Sequence, residues 1–262
     1  MRFRLWTVVA ATVVGMVAVT TGCRQREATK SEPAAVATKP VAKLDPATLG
    51  SVAGTVKFAG KAPERLKIDM SMDPVCALTG GDNYAEQFAV KDGRLANVYV
   101  YIKDGPAAAM SATARSTAPV VMDQVGCRYT PHVIAVMRGG MVEFRNSDGT
   151  MHNIHTMSTV VGNETIDISQ GPRGAPVTKQ FKEPEVMIPV RCNNHPWMNA
   201  FINVAPTPFF AVSGADGQFR MDGLPAGTYT LSLVHEKMGE QTTKITVAPQ
   251  TTATAEFTFA MK

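Results

Sequence analysis

The chain has 262 residues, enough for one large or two small folded units beyond any leader. Its 26 Lys and Arg against 22 Asp and Glu leave a formal charge of +4, scattered along the chain, which argues against nucleic acid as a partner. No Walker loop, dinucleotide fingerprint or nucleophile elbow is present, so the expectation is a protein that is not an enzyme.

The N-terminus begins Met1-Arg-Phe-Arg-Leu-Trp, and an apolar run follows to about Thr20. A charged start and a short apolar stretch read as a secretory signal over residues 1–22. The stretch ends Thr20-Thr-Gly-Cys23, which resembles the lipobox of bacterial lipoproteins, departing from it at Thr20, where Leu is usual. The resemblance implies a diacylated Cys23 as the new N-terminus and a membrane anchor. Arg24, in place of Asp, implies the outer membrane of a two-membrane cell, and hence a periplasmic or cell-surface protein. Residues 23–49 lack aromatics and periodicity and read as a flexible tether.

Strand formers then recur at Ser51–Phe58, Ala96–Ile102 and Phe209–Val212. Val186, Ile188 and Val190 alternate with Met187, Pro189 and Arg191, the pattern of a strand that ends at Cys192. A thiol, an imidazole and a thioether follow within seven residues, as Cys192, His195 and Met198. A second imidazole, His152, stands upstream in Asn146-Ser-Asp-Gly-Thr-Met-His152. Two His, one Cys and a weak Met form the ligand set of a mononuclear electron-transfer copper site. Zinc also takes Cys and His, but a thioether is foreign to it. His155 lies three residues beyond His152, an offset that turns it to the other face of a strand. His132 and His235 read as structural, and most of the 15 Met read as core filler.

The strand Val142-Glu-Phe-Arg-Asn146, the pair His152-Asn153 and the Cys-x-x-His-x-x-Met loop resemble a plastocyanin-type cupredoxin. The tight loop with His195-Pro196-Trp197-Met198 resembles amicyanin, a relative within that family. The resemblance implies a Greek-key sandwich holding one type 1 copper. His152, Cys192 and His195 would be its strong ligands and Met198 its long axial one. Asn146 and Asn153 would fix the ligand loops, and Pro196 and Trp197 would shield the metal edge. The binuclear copper domain of terminal oxidases has two Cys in this loop, whereas this chain has Cys192 alone. Cys76 and Cys127 remain as an even pair in an oxidising compartment, and a disulfide is expected; the alternative is that one of them reaches the metal.

The run Phe210 to Phe259 contains Asp216-Gly-Gln-Phe219 and Gly223-Leu-Pro-Ala-Gly-Thr-Tyr229. These turns resemble the later part of a carboxypeptidase regulatory-like domain, a transthyretin-like β-sandwich. Gly50-Ser-Val-Ala-Gly-Thr-Val56 and Ala96-Asn-Val-Tyr-Val100 fit its opening strands. The expected chain is therefore all-β. Residues 50–104 begin the transthyretin-like sandwich, 105–205 form the cupredoxin, and 206–262 complete the sandwich. A tandem order, with the first strands belonging to an extended cupredoxin, is the rival. The pairing of modules resembles exported bacterial proteins sometimes linked with methylamine utilisation. The expected function is a membrane-tethered blue-copper carrier passing single electrons to a redox partner in the cell envelope. The alternative is a non-redox copper-binding protein, or an envelope module that binds carbohydrate or protein.

Overall fold

A computed structural model describes residues 45–113 and 118–261. The expected signal, Cys23 and the expected tether up to residue 44 lie outside the described residues. The last residues of the expected tether are folded: Asp45 caps a 3-10 turn, Pro46–Thr48, accepting from the Ala47 N–H, and the first strand begins at Leu49. An Asp cap followed by Pro is a local start signal independent of tertiary packing.

The described chain is all-β apart from short helical turns. It opens with β1 (Leu49–Ala59), a six-residue helix α1 (Pro74–Thr79), β2 (Val90–Lys91), β3 (Arg94–Leu95), β4 (Tyr99–Asp104) and a four-residue helix α2 (Ala107–Met110). Next come β5 (Val120–Gln124), β6 (Tyr129–Thr130), β7 (Val133–Met137), β8 (Met141–Asn146) and β9 (His152–Thr156). β10 (Asp167–Gln170), β11 (Val177–Gln180), β12 (Glu185–Arg191) and β13 (Asn199–Ala205) follow. The chain ends with β14 (Phe210–Val212), β15 (Gln218–Pro225), β16 (Gly227–His235), β17 (Gly239–Val247) and β18 (Thr252–Ala260).

Strands from the two ends of the chain share sheets. β1 runs parallel to β18 over residues 51–59 and antiparallel to β15 over residues 49–55. β4 lies between β14 and β16, with β17 outside β16. Alternating side chains of these two sheets, among them Val52, Val56, Ile102, Leu231 and Phe257, meet in one buried core. Burial of each such side chain contributes about 1.5–3 kcal/mol. The glycines of β1 are steric requirements. A Cβ on Gly54 would overlap the Ala255 carbonyl and come within 2.5 Å of the Phe219 ring.

Strands β5–β13 form two further sheets, ordered β10-β9-β12-β13-β7 and β11-β8-β5-β6. They enclose a second core that includes Met122, Phe144, Ile154, Ile188, Val190 and Ile202. The two cores are joined by stacked Tyr99 and Tyr101, whose cluster includes Ala135 and Ala205. A buried bond adds to that junction: His132 donates from Nδ1 to the Asn199 carbonyl (3.1 Å) and meets Glu236 Oε1 through Nε2 (2.6 Å). His235, next to Glu236, is buried between Phe88 and Phe259, and burial pushes its pKa down to about 4, so it stays neutral.

One expectation needs correction. The alternation puts Val186 on the inward face with Ile188 and Val190, yet Val186 is exposed and Glu185 is buried. The register shifts between Glu185 and Ile188, and Met187 adopts φ +52. A bulge inserts a residue and reverses the facing upstream of it. Glu185 is tolerated inside because it accepts from Thr159 N, Thr159 Oγ1 and Asn163 Nδ2.

Gly54→Ala is expected to lower stability by about 1–3 kcal/mol, because the added carbon has no space beside the β18 backbone. A urea midpoint equal to that of the unsubstituted chain would show that the strands can part at no cost.

Candidate metal centre

The candidate ligands are delivered by strand ends. β12 pairs with β9 through Arg191 and His155, which brings Cys192, just past the end of β12, beside the start of β9 at His152. β12 also pairs with β13, Arg191 opposite Asn199, so residues 192–198 form a hairpin loop. The loop is closed by the Cys192 N–H donating to the Met198 carbonyl (3.3 Å) and tightened by the Met198 N–H donating to the His195 carbonyl (2.9 Å). It therefore curls His195 back over Cys192.

The donor atoms converge. His152 Nδ1 lies 2.9 Å from His195 Nδ1, and Cys192 Sγ lies 3.6 Å from that same nitrogen. His152 and Met198 are wholly enclosed, and Cys192 and His195 are 4% and 3% exposed. Met198 packs in the same cluster as Cys192. His155 is half-buried and meets Asn193 Oδ1, away from these donors.

Electrostatics favour cation binding. Burial alone would raise the Cys192 thiol. It is outweighed by the nearby His152 imidazole, the N–H groups of Asn153 and Asn194, and His195, which bring it to about 6. Burial would likewise lower His152, but the bond to Asp148 and the proximity of Cys192 win and push it up to about 9. The two shifts run in opposite directions, favouring a thiolate on Cys192 and a proton on His152 at neutral pH. Two imidazole nitrogens, a thiolate and a buried thioether suit copper by donor softness, so the residues fit that ion.

The surrounding residues hold the donors. Asn146 Nδ2 donates to the carbonyls of Thr150, Gln170 and Gly171, and its Oδ1 accepts from Asp148 N, which fixes the turn leading to His152. The Asn153 N–H points at Cys192 Sγ (3.4 Å), while its side chain ties Asp167 to Asn193. The Trp197 ring lies 5.0 Å from that of His195, and its Nε1 donates to the Cys127 carbonyl. Trp197 and Pro196 also line a surface groove with Leu66, Met72 and Tyr84.

Cys76 and Cys127 are bridged, leaving Cys192 the one free thiol among the described residues. Both half-cystines lie close to the imidazoles but, being oxidised, cannot ligate. Two participants escaped the sequence reading. Asp148 accepts from His152 Nε2 (2.8 Å), and Asp73 accepts from His195 Nε2 (3.0 Å). Asp73-Pro74 is legible as a helix start, but nothing local tells that this cap meets a histidine 122 residues away.

Residues 190–261 match the family model of the carboxypeptidase regulatory-like domain, a match that begins before Pro206 and takes in the loop at 192–198. Among solved structures the chain is similar to the Cu-containing nitrite reductase from Thermus scotoductus SA-01. That match has 27% identity and a TM-score of 0.31, and covers 36% of this chain and only 24% of the reductase. It is also similar to an amicyanin variant in its reduced Cu(I) form at pH 4, with 20% identity and a TM-score of 0.30. This match covers 40% of this chain and 97% of the amicyanin. A second amicyanin variant in its Cu(I) form matches at 19% identity and a TM-score of 0.30, over 40% of this chain and 97% of that one. No curated protein matches the chain significantly.

In the metal-free chain, thiolate absorbance in the ultraviolet should grow as pH rises through about 6, well below the ordinary thiol value of 9.0. Cys192→Ser should remove that step. A step only near the ordinary value would mean that the imidazoles do not act on the thiol.

Proposed function

We propose that this chain is a mononuclear copper protein that carries single electrons in the cell envelope. The observation that carries the reading is the buried convergence of His152 Nδ1, His195 Nδ1 and the thiolate of Cys192 at the mouth of one hairpin. His152, Cys192 and His195 would be the strong ligands and Met198 the axial one. A copper ion held there would supply a one-electron couple. The protein's part is to keep the donors still. Cys192 and Met198 are fixed at the two ends of a hydrogen-bonded loop, and His152 is set by the Asn146 turn. Asn153 holds the sulfur through its N–H. Were all four of these side chains to hold the ion, no position would be left for a reactant, which fits an electron carrier better than an enzyme.

The docking face for a redox partner is proposed at the groove beside Pro196 and Trp197, where an indole in contact with His195 reaches the surface. A lipid on Cys23 would tether this head to a membrane, with the partner in the same compartment.

One equivalent of Cu(II) added to the full chain should give an intense visible thiolate-to-copper band that ascorbate bleaches. Cys192→Ser should abolish the band; colour that survives would move the site elsewhere. Met198→Leu should retain copper and raise the reduction potential, whereas loss of all copper would refute an axial role. A colourless protein that still holds copper would favour storage or delivery.

Proton linkage provides a separate check. Between about 6 and about 9 the thiol is already ionised while His152 is protonated, so each copper bound displaces one proton. Affinity should therefore fall about tenfold for each pH unit lowered through that window, and more steeply below it. Calorimetry in buffers of different ionisation enthalpy counts these protons. A count of zero would contradict the charges assigned here.

A further inference from the structure

We infer that the loop from Leu66 to Ala85 is a built-in cap of the metal centre: its Asp73, together with Asp148, holds both imidazoles with Nδ1 turned inward, and the Cys76–Cys127 disulfide locks the two carboxylates in place. The role given to metal rests on the copper reading above; the positioning of the imidazoles does not.

The cap is a closed structure. Its base is zipped by Ala85 N donating to the Leu66 carbonyl, the bridge between Lys67 and Tyr84, and Ile68 N donating to the Asn83 carbonyl. Its tip carries α1, and Met70 and Cys76 pack with Cys127 and Trp197. Asn83 Nδ2 pins it to the Gly126 carbonyl at 2.6 Å.

Which nitrogen of an imidazole is left free for a metal is set by the hydrogen bond that the other one makes. Here both outer nitrogens are committed to carboxylates, His195 to Asp73 and His152 to Asp148. Each carboxylate is in turn held by the N–H of a half-cystine: Cys76 N donates to Asp73 Oδ1 (3.2 Å) and Cys127 N to Asp148 Oδ2 (2.8 Å). Val75 N and Gly126 N add a second bond to each, and Thr150 Oγ1 donates to Asp73 Oδ2. The disulfide thus joins the two turns that grip the two carboxylates. Both half-cystines are fully buried, so the bridge is shielded from exchanging thiols and acts as a permanent staple. The cap also encloses the outer edge of His195, which leaves Trp197 as the neighbour of that ring that opens onto a surface groove.

Asp73→Asn separates positioning from folding, because Asn keeps the N-cap of α1 while the carboxylate charge is lost. With only five histidines in the chain, selective nitrogen-15 labelling reports each tautomer in the full, metal-free protein. The expected result is that His195 carries its proton on Nε2 in the unsubstituted chain and becomes a mixture of tautomers in Asp73→Asn. Copper affinity should fall about 10–100-fold, with thermal unfolding little changed. The pair Cys76→Ala and Cys127→Ala should disturb both histidines together. Unchanged tautomers and unchanged affinity in both variants would overturn the inference and leave the loop a mere cover. If the unsubstituted chain binds no copper while the tautomer of His195 still depends on Asp73, the positioning stands and the copper reading falls.

Discussion

A thiolate and two imidazoles can be enclosed in a protein only if each of their polar edges finds a partner, because an unpaired charge away from water costs several kcal/mol. That constraint organises the region around Cys192. The inner nitrogens of His152 and His195 face each other, the sulfur takes the Asn153 N–H, and both outer nitrogens end on carboxylates. Those carboxylates must themselves be satisfied, and backbone N–H groups from two turns do so. The result is a buried polar network whose members orient one another, and such networks specify geometry more sharply than apolar packing does.

The sheets supply the framework on which this network can be held. Antiparallel pairing of β12 with both β9 and β13 brings His152, Cys192 and His195 to one rim, although β10 and β11 intervene in the chain between β9 and β12. The rim is also braced from the other side of the molecule. His132 reaches the carbonyl of Asn199, the residue after Met198, and its second nitrogen ends on Glu236 in the turn between β16 and β17. The hairpin and the C-terminal sheets are therefore coupled through two buried side chains.

Local pattern revealed the parts of the centre that depend on local pattern. Cys192, His195 and Met198 were legible because one loop holds them at fixed spacing after a strand, and His152 because it follows a strand ending in Asn. The glycines at positions 50 and 54 were legible as a strand signature, and the structure adds the reason, which is the closeness of the neighbouring backbone. The bulge at Met187 was not legible, since a residue pattern shows period and not the point where the register slips. Nor was the partnership of Asp73 with His195, which is a property of tertiary closure. Asp148 lay in plain view four residues before His152, but its geometry relative to the ring depends on the Asn146 turn.

The disulfide joins residues 51 apart, and both of them precede every proposed ligand in the chain. A polypeptide is made from its N-terminus. The residues of the clasp, Asp73 among them, are thus made before Cys192, His195 and Met198. The hairpin is the last part of the cluster to be made, so the order of synthesis runs from the clasp to the residues that it encloses.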